Sequence, residues 1–252
     1  TFYPIWMKGR GIQSGQLDSN QNKPVLLFGG TILGVLTQTL TLALRNTGRD
    51  CATLYISGNV LLDRIPDSVL GQPNFHSNTA GATQTGLETP NGLAMSGSTL
   101  LFVAEGAGSR VKVFDVGSIT DGENAVNVLG QSTFTAATAA TTQAGMNLPY
   151  DVVYDTANSR LFVAEGTSNR VTSFDVAAIT DGENAINVLG QANFTTATAA
   201  TTQAGMSAPR GLAYDDVNQR LYVSQAAINR VTTYDVAAIT NGENAINVLG
   251  QA

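Results

Sequence analysis

A tetrapeptide recurs four times along this chain, and its spacing constrains the fold more than any other feature. VLGQ stands at Val69–Gln72, Val128–Gln131, Val188–Gln191 and Val248–Gln251. Arg110, Arg170 and Arg230 are 60 residues apart, and so are Asp115, Asp175 and Asp235. Residues 128–187 match residues 188–247 at 39 of 60 positions. Self-similarity at a fixed period marks a repeat architecture, in which each repeat is one supersecondary unit that buries its apolar faces against its neighbours.

Within one repeat the pattern is that of four short strands. DVVY at 151–154 follows Pro149. RLFVA at 160–164 follows the turn-forming stretch DTANS, and RVTSFDV at 170–176 alternates in its first half. AINVL at 185–189 follows Asp181-Gly182, a tight-turn dipeptide. Four strands per unit, joined by short turns, describe one propeller blade. The expected fold is all-β, a β-propeller of four-stranded blades, with about four to five blades in this chain.

A long Thr- and Ala-rich connection follows each fourth strand, at Gln131–Leu148, Gln191–Ala208 and, more loosely, Gln72–Thr89. Such low complexity is compatible with disorder. However, Phe75, Phe134 and Phe194 share one place in it, and Leu87, Met146 and Met206 another. Apolar anchors at both ends predict an ordered loop packed on the blades.

The clean repeats occupy residues 67–252. Residues 1–66 read as degenerate N-terminal blades or as a small separate β region. TLYIS at 53–57 resembles RLYVS at 220–224, with Leu40–Leu44 as the inner strand of that blade. VLLFGG at 25–30 takes the place of VLGQ, and Arg10-Gly-Ile matches Arg230-Val.

The strings PYDVVYD at 149–155, RLFVAE at 160–165 and NRVTSFD at 169–175 resemble an NHL repeat, the β-propeller module of many bacterial secreted proteins. The resemblance covers residues 87–251 well and 25–72 weakly. This sequence departs from the family pattern where the Asp after Val-Ala becomes Glu105, Glu165 and Gln225, and where Asp151 replaces the Gly found at Gly92 and Gly211. The resemblance implies a six-bladed ring, which at this period is longer than 252 residues. Three explanations stay open: a fragment of a longer chain, a ring completed by another chain, or a smaller closed ring. A propeller also hosts many unrelated functions, so the resemblance speaks to architecture and not to activity.

Charge narrows the function classes. Thirteen Lys and Arg against nineteen Asp and Glu leave a net charge of −6. Nucleic-acid binding requires clustered basic residues that displace counterions, and this chain has no such cluster. One cysteine, Cys51, rules out an internal disulfide. The one histidine, His76, removes most zinc and Ser-His chemistry. No cofactor or metal is expected, and no catalytic residue is assigned. The most apolar stretch, residues 31–44, is too short and too rich in Thr and Gln to span a bilayer. The polar balance of Thr, Asn, Gln, Ser and Gly is common on secreted surfaces, and the chain begins at Thr1. An extracellular or cell-surface setting is expected, with a leader removed or a longer chain preceding it.

Candidate site residues come in three sets. Glu105 with Arg110, Glu165 with Arg170 and Gln225 with Arg230 flank equivalent turns. They read either as a polar ligand ring or as pairs that pin the turn, with Arg110, Arg170 and Arg230 structural. DGEN at 121–124 and 181–184 and NGEN at 241–244 offer oxygens at close spacing. They lack the alternating pattern and downstream bidentate Glu of a calcium loop and read as turns.

The third set emerges from comparing the two closest repeats, which differ at 21 positions, 15 of them between residues 147 and 168. That window covers the inner strand, the second strand and the turn after it, which share one face around a propeller's channel. Asn91, Tyr150 and Arg210 hold equivalent places there, as do Gly92, Asp151 and Gly211. The scaffold is constant and one face varies, as expected of a face that binds something. The leading functional reading is a non-catalytic scaffold for an unknown protein or glycan at that face. The alternatives are an assembly protein that self-associates through blade edges into a larger ring or filament, and a propeller hydrolase or lyase.

Overall fold

A computed structural model of the chain describes residues 68–97 and 99–251, together with four short strands nearer the N-terminus. The chain divides into two compact units, Thr1–Ile65 and Pro66–Ala252. In the first, β1 (Gln16–Leu17) pairs antiparallel with β2 (Pro24–Val25), and β3 (Ala43–Arg45) with β4 (Cys51–Thr53). Most of TLYIS and VLLFGG, and all of Arg10-Gly-Ile, lie outside the described residues.

The second unit consists of three four-stranded antiparallel sheets in chain order. Blade 1 is β5 (Pro90–Ser96), β6 (Leu100–Glu105), β7 (Arg110–Asp115) and β8 (Asn127–Leu129). Blade 2 is β9 (Pro149–Asp155), β10 (Arg160–Glu165), β11 (Arg170–Asp175) and β12 (Asn187–Leu189). Blade 3 is β13 (Pro209–Asp215), β14 (Arg220–Gln225), β15 (Arg230–Asp235) and β16 (Asn247–Leu249). A single 3-10 turn, Ala226–Ile228, is the only helical element among the described residues, so none of their helices can cross a membrane. Strand order follows sequence order within each sheet, the inner strand β9 lies between β5 and β13, and the sheets pack face to face. That is the blade arrangement of a β-propeller.

The core lies between blades. Phe102, Ala104, Val111, Val113 and Leu129 of blade 1 pack on Val152, Leu161, Val163 and Phe174 of blade 2. Phe162, Ala164, Val171 and Leu189 of blade 2 pack on Leu221, Val223 and Tyr234 of blade 3. Burying one such side chain is worth about 1.5–3 kcal/mol, so each interface sums many such contributions. Rings meet across both seams: Phe102 and Tyr154 have centroids 6.1 Å apart, and Phe162 and Tyr214 6.0 Å apart.

The long connections are ordered. Met146 and Met206 are fully buried. Each covers the glycine of the VLGQ that precedes it, Gly130 or Gly190, where an added Cβ would lie 2.7 Å from the methionine Cγ. Those glycines also have φ near +85°, a region that side-chain-bearing residues avoid. The VLGQ glutamine then bridges turn and loop, Gln131 Nε2 donating to the carbonyls of Ser109 (2.9 Å) and Thr138 (2.8 Å), and Gln191 Nε2 to those of Asn169 and Thr198. The repeated tetrapeptide is therefore the hinge on which each interblade loop is folded back.

Candidate functional site

The variable face is built where each loop enters an inner strand. The residue before each entry proline has a left-handed backbone: Thr89 (φ 54°), Leu148 (φ 54°) and Ala208 (φ 46°). A β-branched or bulky residue there is strained. The conformation turns the carbonyls of Thr89, Leu148 and Ala208 toward the N–H groups of Gly106 (3.0 Å), Gly166 (3.2 Å) and Ala226 (3.0 Å). The start of the inner strand is thus tied to the turn between the second and third strands, and the two form one surface.

Asn91, Tyr150 and Arg210 fall side by side on that surface. Asn91 Nδ2 donates to the Pro149 carbonyl of the next blade (3.1 Å). The Tyr150 ring lies over Gly166, where an added Cβ would sit 2.4 Å from ring carbon Cε2. The Arg210 guanidinium stacks on the Tyr150 ring, 4.5 Å from its centroid. Arg210 is exposed and, among the described residues, has no carboxylate within ion-pair distance.

Asp151 sits one residue deeper and is engaged by three blades. Its Oδ2 accepts the Leu212 N–H of blade 3 (2.8 Å), and its Oδ1 accepts the N–H of Val152 (2.9 Å). An added Cβ at Gly92 of blade 1 would lie 2.3 Å from Asp151 Oδ1. Gly92 and Asp151 are a matched pair, small against large.

Glu105, Glu165 and Gln225 lie elsewhere, in the interior, with relative exposures of 0%, 0% and 1%. Glu165 Oε1 and Oε2 accept from Arg170 Nε and Nη2 at 3.0 Å each, Thr172 Oγ1 donates to Oε1, and the Asn147 N–H donates to Oε2. Burial pushes the Glu165 carboxyl above its ordinary range, and the Arg170 guanidinium pulls the other way. Arg170 also donates to the carbonyls of Thr142 (3.1 Å) and Gly145 (2.9 Å) in the loop before its blade and to that of Phe194 in the loop after it. The arginine therefore clamps two successive interblade loops.

Blade 1 divides that work between two cations. Arg110 bonds Glu105 and the carbonyls of Phe134 and Ala136. Lys112, fully buried, takes the preceding loop through the carbonyls of Thr83 and Gly86 and lies 3.2 Å from Glu105 Oε1. Burial lowers the Lys112 ammonium below the usual lysine range. In blade 3, Arg230 bonds the carbonyls of Thr201, Thr202 and Gly205, while its Nε has no partner.

The DGEN turns join neighbouring blades at the outer rim. Asp181 Oδ1 accepts the Val128 N–H (3.0 Å), and the Gly182 N–H donates to the Val128 carbonyl (3.0 Å). Asp121 serves Val69 and Asn241 serves Val188 in the same way. In each the Oδ1 is taken by a backbone donor, while Glu183 Oε1 and Glu243 Oε1 of the same turns are buried without a hydrogen-bond partner. Among the described residues no three His, Cys, Asp or Glu side chains converge as metal ligands, and His76 is exposed in the first loop. A further tie, between Asp155 and Arg160, escaped sequence reasoning. Arg160 Nη2 donates to Asp155 Oδ2 (2.6 Å) and to the Val236 carbonyl of blade 3 (2.7 Å). Its signal was an Asp-x4-Arg spacing at 155–160 that recurs at 215–220.

No family model matches this sequence, and no curated protein does. Among solved structures it is similar to Kuenenia stuttgartiensis hydrazine synthase, at 14% identity and a TM-score of 0.45. The alignment covers 70% of this chain and 40% of that one. The propeller assignment rests on the blade topology above, and nothing about that protein's activity is carried over.

Proposed function

We propose that this chain is a non-catalytic propeller scaffold of the NHL-repeat class, working at the cell surface or outside the cell, and that it binds a protein or glycan at the face carrying Asn91, Tyr150 and Arg210. The supporting observation is the exposed Arg210 guanidinium, backed by the Tyr150 ring at 4.5 Å and free of any carboxylate among the described residues. A cation held over an aromatic ring keeps donors free for one carboxylate, and the cation–ring contact itself contributes about 0.5–1 kcal/mol. The net charge of −6 works against a polyanion, so the reading favours a ligand with isolated acid groups. Calorimetry with a neutral oligosaccharide carrying a single uronic acid and with a peptide carrying a single side-chain carboxylate tests this. Binding of one of them, weakened at least tenfold in a Tyr150→Ser/Arg210→Ser variant, is expected. Equal binding by the variant, or none by the parent chain, overturns it.

A second reading, assembly through blade edges, has its own observation. Val248 and Leu249 are 45% and 57% exposed, whereas Val128, Leu129, Val188 and Leu189 at the equivalent places are at most 2% exposed. Sedimentation across a concentration series tests it: a mass that stays at 26.2 kDa excludes assembly.

A further inference from the structure

Two Asn-Gly pairs occur in this chain, Asn91-Gly92 and Asn241-Gly242, and the second lies on the seam between blades 2 and 3. An Asn-Gly pair is prone to spontaneous deamidation, because glycine has no side chain to keep its nitrogen away from the neighbouring amide carbon. Asn241 opens the rim turn of blade 3, as Asp121 and Asp181 open those of blades 1 and 2. All three residues are exposed, so water and hydroxide reach them.

The two groups that have to react are held by one residue of the preceding blade. Asn241 Oδ1 accepts the Val188 N–H (3.0 Å), and the Gly242 N–H donates to the Val188 carbonyl (2.9 Å). Gly242 has φ of +68° and lies close against the next loop, where an added Cβ would be 3.0 Å from Ala192 Cα. Attack on Asn241 Cγ requires the Gly242 nitrogen to lose its proton, which means leaving the Val188 carbonyl. It also requires the Asn241 carboxamide to turn away from the Val188 N–H. The acid that deamidation creates is the residue the other blades already use: Asp181 Oδ1 accepts the Val128 N–H (3.0 Å) and also Asn127 Nδ2 (3.1 Å). Asn187 stands at the place of Asn127, with its Nδ2 on the Ile239 carbonyl (3.3 Å).

We propose that Asn241-Gly242 is a deamidation site gated by the seam between blades 2 and 3, closed while the seam is closed and reactive whenever it opens. In the open state the deprotonated Gly242 nitrogen attacks Asn241 Cγ, the Cγ–Nδ2 bond breaks, and ammonia leaves with the proton, giving a cyclic imide. Water then opens the imide in one of two ways. Addition at Cγ restores the backbone and leaves aspartate at position 241. Addition at the backbone carbonyl carbon routes the chain through the side chain as isoaspartate. Aspartate closes the seam again in the form blades 1 and 2 use, with a charged acceptor for the Val188 N–H. Isoaspartate places an added methylene in the main chain between Thr240 and Gly242, which breaks the register of both ties to Val188.

Mass spectrometry at the level of proteolytic peptides, which separates position 241 from Asn91, tests this at mildly alkaline pH in the full chain and in a synthetic peptide of residues 236–248. At position 241 the full chain should react on the order of a hundredfold more slowly than the peptide. Urea below the unfolding transition should speed that reaction about tenfold in the chain and leave the peptide unchanged, and Met206→Ala, which loosens the same seam, should do the same without urea. An Asn241→Asp chain should unfold at the same urea midpoint as the parent or a higher one. A full chain that reacts as fast as the peptide overturns the proposal, because the seam then protects nothing. Slow reaction that sub-transition urea does not accelerate overturns it as well, because the protection then belongs to the turn alone; this arm decides even where Met206→Ala fails to fold. A lowered midpoint for Asn241→Asp would overturn the reclosure of the seam around aspartate.

Discussion

Gln225 shows how one atom can separate otherwise equivalent blades. In blades 1 and 2 a carboxylate takes the arginine Nε, but in blade 3 the Gln225 Oε1 is held by the Ser207 N–H (3.0 Å) and only grazes Arg230 Nη2 (3.4 Å). A buried donor without a partner carries a desolvation cost of about 1–3 kcal/mol. Gln225→Glu restores the acceptor, and Thr232 Oγ1 is placed to donate to it as Thr172 does to Glu165. We expect the variant to be about 1 kcal/mol more stable in urea titration; a loss of stability would mean that desolvating the new carboxylate outweighs the repaired bond. Asp155 carries a pH-dependent prediction. Burial raises its carboxyl, but hydrogen bonds from Asn158 and Arg160 outweigh that and hold it below the ordinary carboxylate range. A carboxyl depressed in the folded state contributes stability above the unfolded value, near pH ~4, and loses it as pH falls through the folded value. Asp155→Asn should therefore be less stable than the parent at neutral pH, and the difference should shrink on acidification below about pH 4. Stability curves at several pH values check this; a difference independent of pH would show that Asp155 acts through packing alone.

Among the elements, the interblade loop depends on one methionine over one glycine. Met206 is fully buried, so Met206→Ala should cost about 2–5 kcal/mol, depending on how far the loop collapses into the cavity. Gly190→Ala should destabilise for two reasons, the φ of +85° and the contact with Met206. In a double-mutant cycle the contact part disappears and the backbone part remains, so the two costs should sum to more than the double variant loses. Additive costs would refute the contact. The strands themselves were legible: DVVY, RLFVA and RVTSFDV each fall within a residue or two of β9, β10 and β11, because alternation and turn residues act locally. The Met146 and Met206 anchors were legible too, since an apolar residue recurring in a polar tract tends to pack, but Phe75, at the place of Phe134 and Phe194, is 49% exposed and does not anchor its loop. The partners of the arginines were not. Arg170 reads as one half of an ion pair with Glu165, yet three of its hydrogen bonds go to carbonyls of Thr142, Gly145 and Phe194, and backbone acceptors leave no trace in side-chain identity. The variable face was legible as a set of equivalent positions. The division of labour within it, with Asp151 consumed by the Leu212 N–H and Arg210 left outward on Tyr150, depends on contacts between residues some 60 apart in sequence.

At the scale of the whole unit Pro66–Ala252, cohesion among the described residues runs from blade to blade through a small set of repeated ties. Each tie belongs to two blades: the methionine groove, the arginine clamp, the rim turn on the VLGQ valine, and the Asp155–Arg160 link to Val236. Stability in such arrays is close to a sum of repeat terms and nearest-neighbour seams, so a blade covered on both sides is protected more than one covered on one side. The rim turn gives a single-atom reporter of this. The Val128 and Val188 N–H groups donate to Asp181 and Asn241 of the following blade, at 3.0 Å each, while Val248 is 45% exposed. Hydrogen exchange should therefore find the Val248 amide exchanging on the order of a hundredfold faster than those of Val128 and Val188. The three share one local sequence, so intrinsic exchange chemistry contributes little to the contrast. Equal protection would show that the VLGQ strand is held by its own sheet alone and that the seam adds nothing.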